Sequence, residues 1–191
     1  MTMQERSGTS HLPQEMSQRG DIHPGSAPRV LLVTPQPFFE ERGTPIAVAL
    51  TSRALVESGY AVDVLAFPIG SDPRIQGVEV LRCGNPLGIR QVRVGFSLKK
   101  MLLDASLMMA FRRLLGTGQY AVVHAVEEAA WLAALLCPPR DVPFIYDMAS
   151  SIPEQVAEHP LLGHPLPQRL LRHLERQVIG RAAHVVCSGG L

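Results

Sequence analysis

The stretch from Arg29 to Phe67 constrains this chain more than any other. It reads RVLLVTPQPFFEERGTPIAVALTSRALVESGYAVDVLAF. Val30 to Val33 is a short unbroken apolar run, the pattern of a strand covered on both faces. The loop from Thr34 to Gly43 carries Pro35 and Pro37, which hold it out of helix. Thr44 then stands before Pro45, an N-cap residue followed by the helical position that tolerates proline. Ile46, Val48, Leu50, Ala54 and Leu55 are expected mostly on one side of the helix that follows. Gly59 is expected to end that helix in the left-handed conformation. Tyr60 to Phe67 reads as a second strand. Strand, loop, helix, strand is a βαβ unit, which builds parallel sheets with right-handed crossovers.

Such a unit has a chemical use. The first N–H groups of a helix lack internal partners and carry the positive end of its dipole. The loop Arg42-Gly43-Thr44 places them at the end of a strand, where open α/β sheets bind ligands. Gly43 has no side chain, so a diphosphate can approach its backbone. A plain tight turn explains the same glycine. No G-x-G-x-x-G and no Walker sequence occurs, so spacing alone names neither a dinucleotide nor an ATP site.

The remainder of the chain repeats the alternation. Val78 to Leu81 reads as a third strand, Ser97 to Leu115 as a long helix ended by Gly116 and Gly118, and Tyr120 to Val126 as a fourth strand. Glu127 to Leu136 is a predicted short helix, Pro143 to Met148 a fifth strand, Pro167 to Arg181 a helix and His184 to Ser188 a sixth strand. The expected fold is α/β, a doubly wound parallel sheet of the Rossmann-like kind. Residues 1–28 are polar and aperiodic and are expected to be a disordered tail. The 191 residues suit one well-buried domain, and the net charge of +1 argues against a nucleic-acid partner. Cys83, Cys137 and Cys187 lie far apart without a C-x-x-C, so neither zinc nor a disulfide framework is expected. No apolar run has the form of a secretory signal or the length of a membrane span. A cytoplasmic setting follows as an expectation, with reduced thiols.

Several residues gather at strand ends. His124, Glu127 and Glu128 follow the fourth strand, on the same rim as Gly43. They can meet a sugar, or serve as a core histidine and two acids favouring a helix N-terminus. Ser150, Ser151 and Glu154 follow the fifth strand in DMASSIPE, where Pro153 can open a short helix or the segment can be a plain capping turn. His159, His164 and His173 have no usual metal-ligand spacing, and no metal is expected. No nucleophile sits on an elbow. The long helix is basic, with Lys99, Lys100, Arg112 and Arg113 near its ends and Asp104 its single acid. It reads either as a surface for anionic membranes at the inner face, or as a sheet-packing helix whose stripe is Leu103, Leu107, Phe111 and Leu114.

Taken together, RVLLVTPQPFFEERGTPIAVALTSRALVESGYAVDVLAF, YAVVHAVEEAAWLAALL, PFIYDMASSIPEQV and LERQVIGRAAHVVCSGGL resemble the N-terminal, acceptor-side domain of family 4 retaining glycosyltransferases with the GT-B fold. The resemblance covers residues 29–191. It implies half of a two-domain enzyme for carbohydrate biosynthesis, moving a sugar from a nucleotide-diphosphate sugar to an acceptor hydroxyl. That donor is a substrate, and no cofactor is implied. It also implies that Arg42, Gly43 and Thr44 face the donor diphosphate, while His124, Glu127, Glu128, Ser150 and Ser151 face the sugar or a lipid-linked acceptor. Two positions depart from the family pattern: Val126 and Ala149 stand where many members carry histidine. The sequence stops after Ser188-Gly189-Gly190-Leu191, where the family crosses to its donor-binding domain. That domain is therefore expected from elsewhere, in cis in a longer gene product or in trans. A non-catalytic ligand-binding or regulatory module on the same fold is the alternative.

Overall fold

The structure is a computed structural model and describes residues 27–41, 43–92 and 97–187. Arg42, Ser188 and nearly all of the expected tail lie outside the described residues.

Six strands form one sheet in the order β3-β2-β1-β4-β5-β6. They are β1 (Arg29–Val33), β2 (Ala61–Ala66), β3 (Val78–Arg82), β4 (Val122–Val126), β5 (Phe144–Met148) and β6 (His184–Cys187). Every neighbouring pair is parallel. The helices are α1 (Gly43–Glu57), α2 (Leu98–Leu115), α3 (Ala129–Leu136), the single turn α4 (Ile152–Gln155) and α5 (Pro165–Arg181). This is the doubly wound Rossmann-like sheet expected from the alternating elements.

Side chains alternate across the strands and separate two cores. On β1, Leu31 and Val33 join the larger core with α2, α3 and Val178 of α5. Leu32 joins the smaller core under α1 with Val48, Ala49, Val62 and Val64. The expected stripe of α1 needs correction. Ile46, Leu50 and Ala54 are exposed, and besides the expected Val48 the helix buries Pro45, Ala49 and Ser52. Those positions, with Leu55 and Val56 packed behind them, follow the i, i+3, i+4, i+7 spacing that a 3.6-residue helix demands. On α2 the expected stripe holds at Leu103, Leu107 and Phe111, while Leu115 is the buried residue of the last turn and Leu114 is half-buried.

Turn chemistry fixes the ends. Gly59 has φ +90°, as its place after α1 requires. Ser97 caps α2, its hydroxyl accepting from the Lys100 N–H at 3.2 Å. Gly70, at φ +106°, lets the β2–β3 loop pass against the backbone of Phe38, where a Cβ would come within 2.6 Å. The two loops are laced there: Phe38 N–H donates to Ile69 O, and Phe39 and Ser71 exchange two backbone bonds. Arg82 reinforces this edge by donating to the carbonyls of Phe67, Ile69 and Ser71.

Candidate functional site

In this strand order the chain leaves β1 in one direction and β4 in the other. The loops after these strands diverge and leave a crevice at the C-terminal sheet edge. A cavity of about 830 Å³ occupies it. Pro35, Gln36 and Pro37 after β1, Phe67 after β2, Glu127 and Glu128 after β4, and Ser150 and Ile152 after β5 form its walls. Gly43, Thr44 and Pro45 of α1, Lys100, Met101 and Asp104 of α2, Trp131 of α3, and Gln155, Val156, His159 and Leu171 close the sides.

Glu127 sits at the centre of the polar network. The sequence suggested a first-turn helical residue, but α3 begins at Ala129 and Glu127 lies before it at φ +51°. A non-glycine residue in this region costs about 1 kcal/mol or more. The turn sends its carboxylate back towards the β1–α1 loop. There Gln36 Nε2 donates to Oε2 at 2.6 Å and Thr44 Oγ1 donates to Oε1 at a long 3.4 Å. Burial, and then the neighbouring Glu128, push the Glu127 carboxyl above its ordinary pKa, with the two donors opposing. Thr44 is accordingly not the predicted N-cap. The helix starts at Gly43, two residues before the predicted Pro45, and the threonine hydroxyl turns to Glu127.

Lys100 also departs from the membrane-surface alternative for its helix. Its side chain points inward. Nζ bridges Asp104 at 3.0 Å and Glu128, and lies 5.7 Å from the centroid of the Phe67 ring. Burial works against the ammonium charge, but Glu128 and Asp104 outweigh it and hold the pKa above the ordinary lysine value. Burial likewise raises the Asp104 carboxyl, with Lys100 opposing. Among the described lining residues, three carboxylates thus face one ammonium. Lys99, Arg112 and Arg113 are exposed and away from the cavity.

The wall after β5 is held by a residue that the sequence reading missed. Glu175 of α5 is buried; its carboxylate accepts from Ser151 Oγ at 2.8 Å and from the Ile152 N–H at 2.9 Å. Ser151 is therefore spent on this clamp, while Ser150 and Ile152 line the cavity. The opening of a short helix at Ile152-Pro153 was legible. His124 stays off the lining. It is buried in β4, paired with β1 and β5, and its Nε2 lies 3.1 Å from Asp147 Oδ2. That geometry matches the core-histidine alternative, and it removes His124 from the residues the cavity brings together. His159 does line the cavity, where its Nδ1 accepts from the Leu161 and Leu162 N–H groups at 3.3 and 3.4 Å. Among the described residues no group of three metal-ligating side chains converges.

Gly43 lines the cavity in the first turn of α1, with φ outside the left-handed region and nothing within 4 Å of the position a Cβ would take. Its glycine is thus not demanded by backbone strain. Open space on the cavity side is what the missing side chain provides.

Most of the chain, residues 42–189, matches the family model described as a Glycosyl transferase 4-like domain. None of the curated proteins matches the sequence. Among solved structures, the fold is similar to sucrose-phosphate synthase from Thermosynechococcus elongatus, with TM-score 0.56 and 15% identity over 83% of this chain and 41% of that one. An excised part of the same synthase gives 0.57 and 14% over 84% and 76%. The fold is also similar to UGT89C1 of Arabidopsis thaliana, complexed with UDP, at 0.52 and 13% over 85% and 45%. The chain spans about two fifths of the length of the complete synthase. At these identities the likeness is one of fold.

Proposed function

Because this chain belongs to the glycosyl transferase 4-like family, we propose that its cavity holds the acceptor in a sugar transfer and that a donor-binding domain, in cis or in trans, presents a nucleotide-diphosphate sugar from across the cleft. The single observation that supports this reading is the open cavity of about 830 Å³ at the switch point of the sheet. Its polar groups include the carboxylates of Asp104, Glu127 and Glu128, which accept hydrogen bonds from hydroxyls. Glu127 keeps unused acceptor capacity after Gln36 and Thr44 are counted. Met101 and Trp131 give apolar faces for a ring or chain. Such a site orients an acceptor hydroxyl and needs no protein nucleophile, so its contribution is positioning and electrostatics.

The donor diphosphate is assigned to the start of α1, at Arg42, Gly43 and Thr44. The helix dipole and the open space over Gly43 suit an anion. Three nearby carboxylates oppose one, so further cations have to come from Arg42 and from the donor domain.

The test is reconstitution. The purified chain is assayed with a panel of nucleotide sugars and acceptors, alone and with the donor domain of a two-domain relative. Transfer is expected only in the mixture. Transfer by the chain alone overturns the division of labour. Acceptor binding that no donor domain converts into transfer favours the non-catalytic ligand-binding module.

A further inference from the structure

We propose that the ligand this cavity selects carries a protonated amino group beside its hydroxyls, as an amino sugar does. The inference rests on the acceptor reading for the place of the site and adds the chemistry of its occupant.

Charge is the first observation. Asp104, Glu127, Glu128 and Lys100 line the cavity, three carboxylates to one ammonium among the described residues. Lys100 is already committed. Its Nζ donates to Asp104 Oδ1 and Oδ2 at 3.2 and 3.0 Å and bridges to Glu128. His159 uses Nδ1 to accept from the Leu161 and Leu162 N–H groups, so its ring is not the missing cation. Glu127 is left with two neutral donors, the Gln36 amide and the Thr44 hydroxyl. A half-buried carboxylate beside a second one is stabilised most by an opposite charge. The whole chain has a net charge of +1, so this deficit of cations belongs to the cavity and not to the surface at large.

The second observation is independent of the carboxylates. Trp131 Nε1 and Tyr146 Oη are buried and without a hydrogen-bond partner. Tyr146 is wholly buried in β5. The side chains acting on its hydroxyl are Glu175, which holds the wall after β5, and Trp131, Glu127 and Glu128, which line the cavity. The phenol is thus directed at the acidic corner. Buried polar atoms are nearly always paired, and two unpaired ones behind one cavity wall gain their partners when the site is filled. The half-buried indole is the part of this pair that an occupant meets, and its ring face suits a cation. An ammonium supplies what the corner lacks: a positive charge and three donors, with no further acceptor. A neutral polyol brings no charge, and an anion is repelled. An ammonium held here also offsets the carboxylates that oppose a diphosphate at the start of α1.

The test is equilibrium binding without donor or transfer, so the two readings fail separately. Amine binding that no donor domain converts into transfer supports this inference and counts against the acceptor reading. Trp131 is the single tryptophan of the chain, so its fluorescence reports the cavity, and calorimetry gives a second measure. The full chain is titrated with glucosamine, N-acetylglucosamine, glucose and glucose 6-phosphate, just below neutral pH where the free amine is protonated. Glucosamine is expected to bind roughly tenfold or more tighter than N-acetylglucosamine, which keeps the ring and loses the charge, and than glucose. Glu127→Gln with Glu128→Gln is expected to reduce that preference to about twofold or less. Glu127→Gln alone, which leaves the Lys100 bridges intact, is expected to reduce it as well and serves if the double variant does not fold. Glu57→Gln, an exposed acid of α1 off the cavity lining, is the control and is expected to change nothing. Equal affinity for the three uncharged and charged sugars, tighter binding of glucose 6-phosphate, no binding of glucosamine by either measure, or a preference that survives in the Glu127 variants overturns the proposal.

Discussion

Towards the N-terminal ends of the strands the buried polar groups form a closed hydrogen-bonded set, and at the C-terminal ends the set is open onto a cavity of about 830 Å³. In the closed region Asp63 of β2 is buried, and Arg29 donates to its two oxygens at 2.6 and 2.8 Å while Tyr120 Oη donates to Oδ2 at 2.7 Å. One carboxylate meets two donors. In the open region, Asp104, Glu127 and Glu128 share Lys100, Gln36 and Thr44 around a cavity. The first cluster satisfies a buried charge and ties β1, β2 and the entry to β4 together. The second leaves acceptor capacity unused and carboxyl pKa values raised by burial. Polar groups that are fully paired serve stability. Polar groups held in excess of their partners, in a concave site, are where a ligand completes the bonding.

Substitutions at the two ends should separate on that basis. The largest effect is expected at the closed end. Asp63→Ala strands the buried Tyr120 hydroxyl and the Arg29 guanidinium, and should cost about 3 kcal/mol. Part of the Arg29 loss is offset by water, because its side chain is 37% exposed. For a chain of this size that lowers Tm by roughly 6–12 °C. Ligand binding at the cavity should survive in the folded fraction. A melt shift of a degree or less would remove the contrast between the two ends.

Glu175→Ala comes next, because this residue joins stability to the open end. Ser151 and the Ile152 N–H lose their shared acceptor, at about 2 kcal/mol. The cavity wall after β5 should loosen as well, seen as faster hydrogen exchange at Ile152 to Val156. Unchanged exchange there would limit Glu175 to stability.

A smaller effect of opposite sign is expected for Gly43→Ala. The residue is helical and its Cβ has open space, so alanine should stabilise by about 0.5–1 kcal/mol. If that space receives the donor diphosphate, reconstituted turnover falls even as the melting temperature rises. Undiminished turnover would take Gly43 out of the site.

The smallest effect concerns pH. Glu127 has a folded-state pKa above its ordinary value of 4.5. Between the ordinary and the raised pKa the folded chain binds more protons than the unfolded chain, so this residue makes stability fall as pH rises through that window. Glu127→Gln should flatten that slope, measured by denaturant titration at several pH values. A steeper fall of stability with rising pH in the variant than in the wild type would contradict the assignment of burial as the cause.

Much of the fold was legible because its signals are local. Apolar runs marked the strands, Gly59 and Ser97 marked helix boundaries, and Ile152-Pro153 marked α4. The alternation of elements fixed a parallel α/β sheet, since short strands joined through helices have few other ways to pair. The position of the cavity followed from the same logic, because the loops diverge where the chain reverses its winding. Gly43, Thr44, Glu127, Glu128 and Ser150 do meet there.

What the tertiary structure alone decided is how each side chain is used. Lys100 was one of several basic residues on a helix until Glu128 and Phe67, from two other elements, drew it inward. Glu127 depends on Gln36, ninety-one residues earlier, and Ser151 on Glu175, twenty-four residues later. His124 looked available for a ligand, but its strand neighbours and Asp147 enclose it. Periodicity and caps are set by a residue's near neighbours along the chain, so the sequence determined the elements and their order. Burial and partner choice are set by groups far apart in sequence, whose distances exist only once the sheet is assembled.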